Sequence, residues 1–171
     1  MRRTLDALYD AAGYLAALFL VGTLLMVLTG IVDRLSPFRL IRGADAYAGY
    51  CMAGSAFLAL AHTLKHNEHI RVTLILQSAS AKWRRGLEIW SLSAATVLSA
   101  LFAAYSVRLS WQSYSFYDMS TQIDASPLWA PQLTMALGTV ILSIAFVDEL
   151  LLELRGTRVA PETGGAALHN E

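Results

Sequence analysis

Residues 11–32 read AAGYLAALFLVGTLLMVLTGIV, twenty-two positions without a charge. At about 1.5 Å rise per residue they make a helix of about 33 Å, enough to cross roughly 30 Å of hydrocarbon. Asp33 and Arg34 close the run. On the N-terminal side Arg2 and Arg3 precede an apolar stretch too long for a secretory leader, so the segment is expected to be retained as a first transmembrane helix.

Three further apolar runs follow, giving an all-α integral membrane protein with four transmembrane helices and an interfacial amphipathic helix between the second and third. The second run, Ala46 to Leu64, is dominated by small residues, among them Gly49, Ala53, Gly54 and Ala56. In lipid, helices associate through close backbone approach at small-xxx-small surfaces, so this helix is expected at the centre, with Gly49 and Ala53 as a contact pair. The third run, Ile89 to Val107, is rich in Ser and Ala and ends at Arg108; the fourth opens at Pro127, passes Trp129 and Pro131, and stays uncharged to Val147. The serines of the third run, such as Ser91, Ser93 and Ser99, are expected to hydrogen-bond between helices. The loop from Arg108 carries Trp111, Tyr114, Phe116 and Tyr117, rings that favour the headgroup level. Between the second and third runs, residues 69–86 place Val72, Ile75, Leu76, Ala79 and Trp83 on one helical face and Arg71, Thr73, Gln77, Ser80 and Lys82 elsewhere, as in a helix lying flat on a membrane.

With 171 residues, 56% hydrophobic and 15% charged, and a mean hydropathy of +0.47, four spans leave no room for a soluble domain. Residues 1–155 are expected to form one membrane domain. From Gly156 onward too few large apolar residues remain to bury anything, so residues 156–171 read as a mobile cytoplasmic tail. The single cysteine, Cys51, excludes an intrachain disulfide.

The thirteen Lys and Arg residues are unevenly divided. Four spans put both termini and the middle loop on one side, with Arg2, Arg3, Lys65, Arg71, Lys82, Arg84, Arg85, Arg155 and Arg158. Arg34, Arg39, Arg42 and Arg108 fall on the other. Positive residues favour the cytoplasm, so both termini are expected there.

No ionisable side chain lies deep in a run, which argues against a pump or secondary transporter acting alone. No phosphate loop, nucleophile elbow or zinc spacing is readable, and no enzyme or cofactor is expected. The densest polar cluster is His62, His66, Glu68 and His69. His62 and His66 share a helical face, yet one helix cannot bracket a haem, and outside the cluster the sequence offers only His169. Hydrated histidines at the cytoplasmic interface are the simpler account.

Three motifs carry a family likeness: Asp33-Arg34 closing the first span, HNEHIRVTLIL from His66 to Leu76, and SPLWAPQLTMALG from Ser126 to Gly138. In these the chain resembles the small membrane subunit of tripartite ATP-independent periplasmic (TRAP) transporters. The middle motif is similar to the family's Gly-Glu-His-Ile-Arg-Val-Asp run through Glu68, His69, Ile70, Arg71 and Val72, with Asn67 and Thr73 standing where the family has Gly and often Asp. Pro127, Trp129 and Pro131 match the family's opening of the last span. The resemblance implies a scaffold in the bacterial inner membrane, paired with a large membrane subunit that holds the substrate and sodium sites. It also implies a periplasmic substrate-binding protein and import of an organic acid or related solute. Two other readings stay open: a membrane anchor of a cytochrome b-type redox enzyme, from the histidines, and a homo-oligomeric channel, from the small-residue helices.

Overall fold

The computed structural model describes residues 2–35, 41, 43–65, 81–121 and 125–155. They form four helices: α1 (Arg2–Leu35), α2 (Ala44–Lys65), α3 (Ala81–Ser115) and α4 (Trp129–Leu154). α1 packs chiefly on α2, α2 also on α4, and α4 on α3. The spatial order is therefore α1, α2, α4, α3. This open layer of helices gives each outer helix one principal neighbour.

Three of the four expected spans satisfy both length and apolarity: α1 from Thr4 to Leu35, α3 from Arg85 to Ser115 and α4. α2 has the length, 22 residues or about 33 Å. It falls short on apolarity because Ala, Gly, Ser, Tyr and His make up most of it.

Helix ends overrun the charges that bounded the apolar runs. α1 begins nine residues before Ala11 and continues to Leu35, and α3 passes through Arg108 to Ser115. A charged side chain stops the hydrocarbon-compatible stretch without interrupting backbone hydrogen bonding, so the helix projects into the interface. Residues 81–86, expected as the end of the flat helix, are instead the first turns of α3; residues 69–80 lie outside the described residues.

Close approach between helices uses different glycines from the expected pair. Gly49 has nothing within 4 Å of where a Cβ would stand, and both Gly49 and Ala53 are exposed. A Cβ on Gly54 would lie 3.1 Å from the Phe19 ring, and one on Gly138 would lie 2.6 Å from both the backbone carbonyl carbon and oxygen of Phe57. Gly138 thus sets the α2–α4 distance. Along α3 the buried residues Ser99, Ala103, Ser106, Ser110 and Ser113 recur at alternating steps of four and three, a seam of small side chains.

The serine and threonine hydroxyls mostly bond within their own helices, against the expectation of bonds between helices. Thr96 donates to the Leu92 carbonyl at 2.7 Å, Ser99 to that of Thr96 at 3.0 Å, and Thr139 to those of Met135 and Ala136 at 3.0 Å. In a dry seam the carbonyl three or four residues back is the nearest acceptor. Ser110 Oγ, 3.5 Å from the Trp129 carbonyl, is the exception on α3. At the end formed by α1, α2 and α4, Tyr9, Ala61, Leu64, Leu142 and Ala145 form a buried cluster, with Leu5, Leu60, Ile141 and Phe146 around it.

Candidate functional site: polar junctions and an uncovered helix face

Polar side chains concentrate at the two ends of the layer and join its helices there. At the end holding the start of α1, Lys65 in the last turn of α2 reaches both neighbours. Its Nζ lies 3.1 Å from Asp6 Oδ1 on α1 and 3.9 Å from Asp148 Oδ2 on α4, and 5.7 Å from the centre of the fully buried Tyr9 ring. One cation thus ties three helices, with its alkyl stem along the apolar cluster. One turn earlier, His62 Nδ1 stands 3.6 Å from Asp10 Oδ1. The His62 ring fills the space beside Gly13, where a Cβ would fall 2.8 Å from it. Glu149 and Glu153 are buried on α4 beyond Asp148.

The opposite end is tied by Asp33 and Arg34. Arg34 Nη2 lies 2.9 Å from Asp45 Oδ2 in the first turn of α2, and Asp33 Oδ2 accepts from the Ile41 backbone N–H at 3.2 Å. Gly43, with φ 78°, makes the left-handed turn into α2, a conformation that costs a glycine little. Its carbonyl accepts from the N–H groups of Ala46 and Tyr47.

The α3–α4 connection is fastened to α2. Tyr50 donates to Ser120 Oγ at 3.0 Å and accepts from Ser126 Oγ at 3.4 Å. Backbone bonds from Ser120 N to the Ser126 carbonyl and from Leu128 N to the Asp118 carbonyl fold the connection back on itself, with Met119 and Pro127 paired as an antiparallel bridge. Tyr117 and Ala125 hold positive φ of 54° and 45°, conformations that non-glycine residues adopt only where neighbouring contacts impose them. Trp129 opens α4 and its ring meets Tyr114 edge-on at 5.8 Å. Pro131, third in the helix, sits where the missing N–H has no intrahelical acceptor to satisfy, and its carbonyl accepts from Thr134 Oγ1 at 2.7 Å.

Of the residues singled out in the sequence, Asp33, Arg34, Pro127, Trp129 and Pro131 are thus gathered around the end carrying the α1–α2 and α3–α4 connections. Glu68, His69, Ile70, Arg71 and Val72 lie outside the described residues. The Lys65 junction, the Tyr50 clasp and the Gly138 contact were not singled out. Lys65 offered a weak signal, a lone cation one turn beyond His62. Between the two ends the α2 face bearing Gly49, Met52, Ala53 and Ala56 is exposed, although α2 is flanked by α1 and α4.

Among the described residues no three His, Cys, Asp or Glu side chains are placed to hold a metal ion. The class these features define is a multi-pass membrane protein, all-helical among the described residues, with polar side chains joining helices at both ends of the layer. The family model described as Tripartite ATP-independent periplasmic transporters, DctQ component, matches residues 23–156, most of the chain, and the chain belongs to that family of transporter components. Comparison with curated proteins and with solved structures gives no match.

Proposed function

We propose that this chain is the small scaffold subunit of a sodium-driven TRAP transporter that imports an organic acid or related small solute. Its partners are a large membrane subunit and a periplasmic substrate-binding protein. The family match over residues 23–156 carries this reading. The open layer supports it, because long apolar faces on α1 and α3 and the small-residue face of α2 have no cover among the described residues.

In this reading all four helices cross the inner membrane. α2 tolerates its low hydropathy because α1, α4 and the large subunit sheathe it from lipid. Both termini are cytoplasmic, residues 1–155 form the membrane domain, residues 69–80 lie along the cytoplasmic surface, and residues 156–171 are a mobile tail. Glu68, His69 and Arg71 fix the junction between α2 and the surface segment, and replacing all three with Ala should impair assembly and uptake; unchanged uptake refutes that role.

The contact face is tested by placing single cysteines at Gly49, Ala53 or Ala56 in a Cys51→Ser background and cross-linking the assembled transporter. Adducts with the large subunit are expected from these positions. An intact complex without adducts from any of them excludes the α2 face as the contact.

A further inference from the structure

A groove of about 360 Å³ lies between α3 and α4, lined by Trp111, Tyr114 and Trp129 toward the α3–α4 connection and by Leu133, Leu137 and Val140 farther along α4. We propose that it is a binding site for one phospholipid with an anionic headgroup, drawn from the leaflet on the side of the α3–α4 connection. One acyl chain lies in the groove and the phosphate sits at Arg108.

The groove's depth in the membrane follows from α3. Counting about 20 residues, or 30 Å, of hydrocarbon from Leu87 just after the arginine pair Arg84-Arg85 reaches Val107. Arg108 then stands at the headgroup level, and Trp111 and Tyr114 lie within the zone that aromatic belts occupy. Ser110 meets the Trp129 carbonyl, which puts Trp129 at the same level. From Trp129 to Val140 the groove follows α4 inward for about 16 Å, close to half of a 30 Å core. The α4 wall of the groove is therefore as long as one leaflet's acyl chain, and the α3 wall from Val107 to Tyr114 flanks its outer part.

The chemistry changes along that length as a phospholipid's does. The part along α4 is lined by aliphatic side chains, whereas the mouth has indole and phenol rings, each with an apolar body and a polar edge. Arg108 is one residue from Val107, which lines the groove, and three from Trp111, so helical spacing puts it on the rim. It is exposed and forms no ion pair among the described residues. A guanidinium there matches a phosphodiester with paired donors. Trp111 and Tyr114 are 70% and 57% exposed, so the groove is open at its mouth.

The test is native mass spectrometry of the detergent-purified transporter complex after equilibration with dioleoyl phosphatidylglycerol or dioleoyl phosphatidylcholine. The expected result is one phosphatidylglycerol per small subunit, retained at activation that strips phosphatidylcholine. Leu137→Trp, a largely exposed position whose enlargement fills the groove, should abolish retention. Arg108→Gln should erase the preference for phosphatidylglycerol while leaving the complex assembled. Equal retention by wild type and Leu137→Trp overturns the site, as does equal retention of the two lipids by wild type. A cross-link from Leu137→Cys to the large subunit would likewise overturn it by giving the groove to a protein partner.

Discussion

Replacing Gly138 with Ala adds one methyl group at the closest point between α2 and α4. That methyl would stand 2.6 Å from the Phe57 carbonyl carbon and oxygen and 2.8 Å from its Cβ. Two of these three obstacles are backbone, so no side-chain rotation relieves them. Ordinary contact needs about 3.6 Å, so the helices must part by about 1 Å, enough to forfeit a quarter to a half of each local dispersion contact. Overpacking of this kind costs about 1–3 kcal/mol, partly offset by the roughly 1 kcal/mol helix preference of Ala over Gly. The net expectation is a loss of up to about 2 kcal/mol. Gly49→Ala is the matched control: same chemistry, a helix of the same layer and nothing within 4 Å, so it should be neutral or stabilising by up to about 1 kcal/mol. Both are measured on the purified chain by unfolding in mixed detergent micelles. Equal stability of the two variants would refute the assignment of Gly138 as the spacer between α2 and α4.

Lys65→Ala leaves Asp6 and Asp148 facing each other without their shared cation; a loss of about 1–2 kcal/mol is expected in the same assay, the pair being only partly buried. Arg34→Ala, by contrast, removes an ion pair whose side chains are 73% and 72% exposed, and should change stability by less than about 0.5 kcal/mol. Tyr50→Phe deletes both hydroxyl bonds to Ser120 and Ser126; the expected signature is faster hydrogen exchange in residues 116–121 with α1 unaffected, and uniform acceleration would contradict a local clasp. Gly13→Leu drives a side chain into the His62 ring and should separate the start of α1 from α2, seen as loss of a disulfide engineered between those helix ends.

The apolar runs made the helices legible because lipid-compatible length and the absence of charge are one-dimensional properties. Helix ends were less legible: Arg108 ended the apolar run but not α3, since charge bounds hydrocarbon and not hydrogen bonding. Asp33 and Arg34, and Pro127, Trp129 and Pro131, could be placed from the sequence because they bound apolar runs beside connections. The Lys65 junction was not, because Asp6, Lys65 and Asp148 are distant in sequence and meet only once the order α1, α2, α4 is known. The contacts of Gly54 and Gly138, in place of Gly49, were hidden for a related reason. α2 carries small residues on every face, so spacing alone could not say which face meets a neighbour, and Gly138 is a lone glycine in an otherwise large-residue helix.

The central claim is that the chain works only as part of a transporter. It is tested by affinity-tagging the chain at its C-terminus in native membranes, purifying it in mild detergent, and comparing solute uptake with and without the gene's product. Co-purification of a large multi-spanning subunit, with uptake lost in its absence and restored by a sodium gradient when the chain is returned, is the expected result. Recovery of the chain alone, or with a haem-containing or flavin-containing partner while uptake persists, would contradict it.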